Sequence, residues 1–402
     1  MKILVLNAGS SSLKYKLFEL DKNIVLAFGL AEKIGEEKSH LLYQQNSKPE
    51  YEENGPLKNH TEALKKIVDL LLDKEKGVID NVNDVKGIGH RVVHGGEHFK
   101  RPTFVDEKVL SGIEEMIPLA PLHNPPNLQG LKVAMDIFPG VPQIAVFDTA
   151  FHQSMPEHAY RYAIPEDLYE KHGVRRYGFH GTSHHYISKK ACAYLKKKWD
   201  KFNAITLHLG NGCSMAAIKN GKSIDTTMGM TPLEGLVMGT RSGDIDPAIP
   251  FFLSNHLNMP LKEIDQLLNK KSGLKGLCQK NDIRDIIALK EKGDEKAILA
   301  LNIYTYRIKK YIGAYMTLLG NLEAILFTAG IGENAALIRE MILENLDHLG
   351  IGLDKNKNNS SPRGKISEIQ NSTSKIKTII VPTDEEREIA EQTKEVLLGN
   401  QI

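Results

Sequence analysis

The sequence predicts an α/β protein built by duplication into two domains, and three observations carry that prediction. A glycine-and-hydroxyl hairpin occurs twice, 203 residues apart, in a chain of 402. Strand-like and helix-like patterns alternate through both halves, as α/β architectures require. The length itself suits about two or three domains.

The doubled hairpin is the strongest of the three. ILVLNAGSSSLKYK (residues 3–16) and TLHLGNGCSMAAIK (residues 206–219) superpose with Gly9 on Gly212, Ser11 on Ser214 and Lys16 on Lys219. Each reads as an apolar β run, a turn of Asn, Gly and Ser, and a more mixed second run. Glycine lets backbone approach a ligand closely, and neighbouring N–H and hydroxyl groups can then form a nest for anions. A single copy would read as an ordinary hairpin turn. Two copies, one per half, point to a duplicated fold that grips a polyphosphate from both sides.

The remaining elements follow in order. TEALKKIVDLLLDKEKG (61–77) has a threonine at the capping position, apolar residues at helical spacing and a terminal glycine, so a helix is expected there. A β run follows around residues 86–93. A further helix starts near Pro125, and VPQIAVFDT (141–149) reads as a buried strand ending on an aspartate. The second half repeats the order with the hairpin, helices and a long apolar-rich helix from about Asp294 to Leu319. LEAILFTAGIGEN (322–334) is a strand entering a glycine turn, with a helix beginning near Glu333. Residues 354–377, rich in Asn, Ser and Lys, read as an exposed connection. The final helix, from about Asp384, is expected to pack back on the first domain.

Composition excludes several classes of function. Lys+Arg 52 against Asp+Glu 50 leaves no global field for nucleic acid or an anionic membrane. Cys192, Cys213 and Cys278 are odd in number and widely spaced, against a disulfide framework or a cysteine zinc site. The first apolar run ends at Asn7, too short for a secretory core, and no run of spanning length follows. A soluble, reduced, cytoplasmic protein is expected, with no nucleic-acid or membrane partner.

Four constellations could carry chemistry. The nests are the first. The second is the pair of arginines in HRVVHGG (90–96) and GTRSGDIDP (239–247). Arg91 and Arg241 lie in or beside apolar, glycine-flanked runs, where an unpaired guanidinium is costly. Each is an even choice between a structural ion pair and an anion clamp, with Glu97 near Arg91 and Asp244 or Asp246 near Arg241. The third is YGFHGTSHHY (177–186), which sets His180 at the start of a helix running to about Lys198; a helix N-terminus favours negative charge. The spacing His180/His184, repeated by His90, His94 and His98, could bind zinc, but the glutamate of H-E-x-x-H is missing. The fourth is FTAGIGENA (327–335), which satisfies G-x-G-x-x-A. Too little chain follows it for a nicotinamide domain, and a turn on which a nucleotide lies fits better. GKS (221–223) fails as a P-loop because residue 216 is alanine.

These blocks, with APLHNPP (120–126), VFDTAFH (146–152), DTTMGMTPLEGLVMGTRSGDIDP (225–247), NDIRDI (281–286) and PTDEE (382–386), resemble the acetate kinase (acetokinase) family over essentially the whole chain. The resemblance implies a duplicated actin-like ATPase (ribonuclease H-like) fold, with two domains flanking an active-site cleft. It sets the domains at 1–149, completed by a helix over 385–402, and 150–384, the latter carrying nucleotide binding and the dimer interface. It implies a homodimer and Mg2+-dependent transfer between ATP and acetate, with Mn2+ as a substitute and propionate as the alternative acceptor.

The same resemblance implies roles. Arg91 would hold the acceptor carboxylate, with Val93, Leu122, Phe179 and Pro232 around its methyl group. Arg241 and His180 would stabilise the transferring phosphoryl group, and Asp148 would orient an arginine or the metal shell. Asn7 and Glu385 would organise the metal, with Glu386 the competing choice. Asp384, where the family usually has asparagine, either adds charge near the metal or caps the last helix. Ser10, Ser12 and Lys14 would support the first nest. His208, Leu209, Gly210, Asn211 and Gly212 would line the phosphates. Asp282, Ile283, Arg284, Gly330, Ile331, Gly332, Glu333 and Asn334 would bind the adenosine. Three competing classes make separate predictions: a zinc hydrolase binds zinc, a nicotinamide enzyme binds NAD at 330–335, and a non-catalytic switch binds ATP without turnover.

Overall fold

The computed structural model describes residues 1–45 and 48–399. The chain forms two compact units, Met1–Phe151 with Asp384–Ile402, and His152–Thr383. Each is built on one mixed sheet.

The first unit's sheet has the order β5-β4-β3-β2-β1-β6-β8-β7. Its strands are β1 (Lys2–Ala8), β2 (Ser12–Glu19), β3 (Ile24–Glu32), β4 (Ser39–Gln45), β5 (Tyr51–Gly55), β6 (Val85–Val92), β7 (Thr103–Phe104) and β8 (Gln143–Phe147). β1 pairs antiparallel with β2 and parallel with β6, which is parallel to β8. The apolar run of β1 is explained by burial on both faces. Ile3 and Val5 pack with Phe18, Ile144, Val146, Ile389 and Ala390 on one side. Leu4 and Leu6 pack on the other with Ala63, Leu64 and Ile67 of helix His60–Leu72 and with Val133 and Ala134 of helix Asn124–Ile137.

Helix Glu385–Leu397 covers the first face, and two glycines of β6 allow its approach. A Cβ at Gly89 would come within 2.4 Å of Thr393 Oγ1, and one at Gly87 within 2.6 Å of Leu397 Cδ1. Of the helix expected over 385–402, residues 400–402 lie outside the described residues.

The second unit's sheet has the order β11-β10-β9-β12-β14-β13, from β9 (Ala204–Leu209), β10 (Cys213–Lys219), β11 (Lys222–Thr226), β12 (Ala324–Thr328), β13 (Ser367–Glu368) and β14 (Lys377–Ile380). β9 is antiparallel to β10 and parallel to β12, which is parallel to β14. The five-strand run β3-β2-β1-β6-β8 is therefore matched, in order and direction, by β11-β10-β9-β12-β14. The duplicated fold is present in full.

Strand pairing moves the repeat from its sequence register. Ala8 pairs with Leu13 around the first turn and Leu209 with Cys213 around the second. Gly9 thus corresponds to Gly210, not to Gly212, and the second turn is one residue shorter. The sequence match aligned residue types; the ladder aligns hydrogen-bonding positions.

Local boundaries differ in instructive ways. The helix expected from Thr61 starts at His60, because Asn59 is extended (φ −162°) and its side chain accepts from Glu62 N at 3.0 Å. GKS belongs to a hairpin turn between β10 and β11, with Asn220 and Gly221 both at positive φ (52° and 74°), as two-residue turns of that kind prefer. The helix expected near Glu333 begins at Ala329. The connection 354–377 is not wholly exposed: Asn358 is buried, and its Oδ1 accepts from Arg339 Nε at 2.7 Å.

Candidate active site

In the first unit, β6 and β8 deliver Arg91 and Asp148 from adjacent parallel strands. Asp148, 1% exposed, follows the fully buried β8. One of its oxygens, Oδ2, accepts from Arg91 Nε at 3.0 Å and Nη2 at 2.6 Å. Arg91 therefore has a carboxylate partner 57 residues away, not Glu97. Coulombic attraction to Asp148, Glu385 and Glu386 outweighs burial and holds its pKa above the ordinary value.

Glu385 begins the last helix and is half-buried in the same neighbourhood. Its carboxyl pKa is pushed up to about 7, first by burial and then by Asp148 and Glu386, against the pull of Arg91 and Lys14. Asp384 and Glu386 both pair with Lys16. Asp384 caps the helix by accepting from Arg387 N and pairs with Lys16 at 3.0 Å. Glu386 leans toward the same lysine, at 3.9 Å. Asn7 and Lys14 face one another in the β1–β2 ladder.

The first turn is held by its carbonyls. His60 Nε2 lies 2.7 Å from Gly9 O, and Asn127 Nδ2 donates to Ala8 O at 2.7 Å while its Oδ1 accepts from Val93 N. Ser10 is exposed and Ser12 half-buried. Asn127 was missed at the sequence level; the HNPPN run that contains it looked only like a helix start. Val93 is buried, whereas Leu122 is 66% exposed.

In the second unit, helix Gly181–Tyr194 carries His180 at its N-cap in the left-handed conformation, φ 57° and ψ 22°. Such backbone costs of order 1–3 kcal/mol outside glycine. The neighbours hold it: His152 Nε2 donates to Phe179 O at 3.1 Å, and the N–H groups of Tyr177 and Gly178 donate to Gly229 O. The His180 ring stacks on His208 with centroids 4.1 Å apart. Phe179 is buried and Pro232 half-buried.

Arg241 is half-buried, and among the described residues no carboxylate pairs with it. Its Nη1 donates weakly to Pro232 O at 3.4 Å, and burial lowers its pKa below the ordinary value. The expected partner Asp244 is engaged elsewhere, with Gly235 N, Tyr311 Oη and Arg307. A Cβ added at Gly212 would lie 3.4 Å from both Arg241 Nη1 and His180 Nε2. Gly212 thus keeps open a point that two side-chain nitrogens overlook.

Beside it, a cavity of about 700 Å³ is lined by Gly210, Asn211, Asp282, Ile283, Arg284, Gly330, Ile331 and Asn334, as expected from their motifs. Arg284 is neutralised by Asp282, with Nη2 to Oδ2 at 2.5 Å. Five expected residues do not line it: His208, which stacks on His180, Gly212, which lies beside Arg241, and three that are turned away. Leu209 is wholly buried, and Gly332 is buried behind the turn. Glu333 points inward, its carboxylate accepting from Ala329 N at 3.0 Å and Thr383 N at 3.1 Å. Arg363 does line the cavity; it sits in the polar connection whose composition had suggested only exposure.

The zinc alternative fails on geometry. Among the described residues no three His, Cys, Asp or Glu side chains converge on a metal site. His90 Nε2 is bound to Gln143 Oε1 at 2.7 Å, and burial pulls its pKa to about 4.

Two copies of one strand order, with a glycine-lined cavity in the second, are the architecture of the duplicated actin-like ATPase class. The chain belongs to the acetokinase family, which residues 2–391 match. It is 53% identical over 399 residues to the acetate kinase of Thermotoga petrophila, covering 99% of each chain. It is 53% identical over 406 residues to that of Oleidesulfovibrio alaskensis, covering 99% of this chain and all of that one. The crystal structure of Porphyromonas gingivalis acetate kinase matches with a TM-score of 0.94 at 47% identity, over 98% of this chain and 99% of that one. That of a propionate kinase from Francisella tularensis matches at 0.91 and 42%, with the same coverage. The activity is that of an acetate kinase, a phosphotransferase with a carboxylate acceptor.

Proposed function

We propose that the chain catalyses reversible, Mg2+-dependent, direct in-line transfer of the γ-phosphoryl group of ATP to acetate, giving acetyl phosphate and ADP. The observation that carries this reading is Arg241. A half-buried guanidinium without a carboxylate, its pKa lowered by burial, calls for an oxyanion. With His180 beside it over Gly212, it is suited to the charge that spreads over a transferring phosphoryl group.

Acetate needs no general base, since a carboxylic acid titrates near 4. Asp148 accordingly serves as the anchor of Arg91, whose Nη1 is left for the acceptor carboxylate. Catalysis then rests on positioning and charge stabilisation. The nucleotide's base and sugar take the cavity lined by residues 210–211, 282–284, 330–331 and 334, where Ile283, Ile287 and Ile331 offer apolar floor.

Asn7 and Glu385 fit a hard divalent cation. A carboxyl pushed up to about 7 among like charges is relieved by one, and Mg2+ typically takes one or two carboxylates together with substrate phosphates. When bound it would neutralise phosphate charge; Mn2+ would substitute. The domain assignment follows, with Arg91, Val93, Leu122 and the metal residues in the first unit and Phe179, Pro232 and the nucleotide residues in the second.

A homodimer through the second unit is supported by helix Ala248–Leu257, which buries none of its residues and exposes Phe251, Phe252 and Leu257 at 67%, 55% and 59%. Three buried free cysteines suit a reducing, cytoplasmic setting. No described helix is long and apolar enough to cross a membrane.

The test is an assay trapping acyl phosphate as hydroxamate, with acetate, propionate and butyrate in parallel. Acetate is expected to give the highest kcat/KM. Binding of ATP without acetate-dependent hydroxamate would overturn the assignment.

A further inference from the structure

Beneath His180 lies a chain of buried polar side chains that the family motifs leave without a role. Ser214 Oγ, in the buried part of β10, sits 2.9 Å from His180 Nδ1 and 2.8 Å from His184 Nε2. His184 Nδ1 is in turn 2.7 Å from Thr206 Oγ1, and Thr206 donates to the carbonyl of Ala216 at 3.3 Å. Ser214, His184 and Thr206 are all 0% exposed.

The donors and acceptors of this chain can be assigned from its closed end. The carbonyl of Ala216 can only accept, so the Thr206 contact with it uses the hydroxyl proton, and the assignment starts from that bond. Thr206 Oγ1 then accepts, and His184 carries its proton on Nδ1. Burial, with His152 and His208 nearby, keeps His184 neutral by lowering its pKa well below the ordinary value. Its Nε2 is therefore an acceptor and takes the Ser214 hydroxyl proton. Ser214 Oγ, having donated, accepts from His180 Nδ1–H.

We propose that Thr206, His184 and Ser214 form a relay that fixes the tautomer of His180, holding its proton on Nδ1 and turning Nε2 toward the point it shares with Arg241 above Gly212. This rests on the reading of His180 as a phosphoryl-stabilising residue. With Nδ1–H held, Nε2 is the nitrogen that gains the next proton, and the imidazolium so formed is a charge-assisted donor to a phosphoryl oxygen, stronger than the neutral Nε2–H tautomer. Ser214 and His184 are thus positioning residues. Their side-chain types suit that role, since a hydroxyl can accept and donate at once, and a neutral imidazole passes that polarity on across its ring.

The experiment uses the full chain labelled with ¹⁵N-histidine. Ring-nitrogen shifts are expected to report a protonated Nδ1 for His180 at every pH, and substantial Nε2–H tautomer in Ser214→Ala. Ser214→Ala should lower kcat for hydroxamate formation about tenfold with KM for ATP unchanged, and Ser214→Thr should restore both tautomer and rate. In a His180→Ala background, Ser214→Ala should cost nothing further. If Ser214→Ala does not fold, Thr206→Val, which removes the committed hydroxyl at similar volume, is read the same way. A His180 bearing its proton on Nε2 alone in the native chain, or an equal loss of rate in both backgrounds, overturns the relay. If His180→Ala retains full kcat, the catalytic reading of His180 fails instead, and the ring-nitrogen shifts still decide the tautomer.

Discussion

The two glycine turns occupy the same place in matching sheets and are wired in opposite ways. The first, residues 9–12, is fastened through main-chain carbonyls: His60 and Asn127 hold Gly9 and Ala8 from outside. The hairpin's own Lys14, opposite Asn7 in the ladder, remains within electrostatic reach of Glu385. In the second, the hairpin itself supplies the fasteners. Thr206 and Ser214 turn their hydroxyls inward to two histidines, and His208 Nδ1 is bound to Ser183 Oγ at 2.8 Å. Duplication preserved the strand order that buries the core. Side chains that the backbone register leaves unconstrained then took different chemistry in each copy.

The charge pattern differs in the same sense. Arg91 is locked to Asp148 in a unit rich in carboxylates, whereas Arg241 has no carboxylate among the described residues. The sharpest way to break the comparison is to remove each cation in turn. Arg241→Ala is expected to lower kcat roughly 10³-fold or more, as for other phosphoryl-transfer arginines, with KM for acetate little changed. Arg91→Ala should act on the acceptor, raising KM for acetate and costing about 3 kcal/mol in kcat/KM, on the order of 10²-fold, because Asp148 is left buried and unpaired. Steady-state kinetics with each substrate varied separates the two. Equal effects of both variants on KM for acetate would abolish the division of labour.

Two further changes sharpen it. Gly212→Ala sets a methyl 3.3–3.4 Å from His180 and Arg241; shifting them by a few tenths of an ångström should reduce kcat about tenfold. The corresponding residue of the first turn by pairing, Ser11, is exposed, and Ser11→Ala should change kcat less than twofold. The pH dependence belongs to the first unit. A carboxyl whose pKa is raised to about 7 is protonated below that pH, so cation affinity should be highest above it and fall about tenfold between pH 8 and pH 6. Titration of Mn2+ binding at the two pH values checks this, and Glu385→Gln should abolish the dependence. The smallest effect concerns stability alone: Asn59→Ala removes the cap of helix His60–Leu72 and should cost about 1 kcal/mol by denaturant unfolding, with kcat unaffected.

Much of this molecule was legible in one dimension. The apolar runs of β1, β8 and β12 declared strands, and the helix expected from about Asp294 is there, with Asp294 capping it by accepting from Ala297 N. The cavity-lining residues at 210–211, 282–284, 330–331 and 334 belong to motifs whose glycines and asparagines marked them. Glu333, by contrast, shares that motif yet serves as an internal brace, because the carboxylate reaches two backbone N–H groups that no local pattern reveals.

What the sequence determined alone is set by forces acting over a few residues: periodicity, capping, turn preference and the recurrence of a hairpin. These suffice for the duplicated fold and for a shortlist of chemistry-bearing side chains. Tertiary structure decided which charges cancel and which remain. Arg91 found Asp148 rather than Glu97, Asp244 turned to Arg307 and away from Arg241, and Ser214 came to lie between two histidines. Ion pairing and hydrogen bonding depend on distance in space and on burial, and both are fixed only when strands far apart in the chain become neighbours.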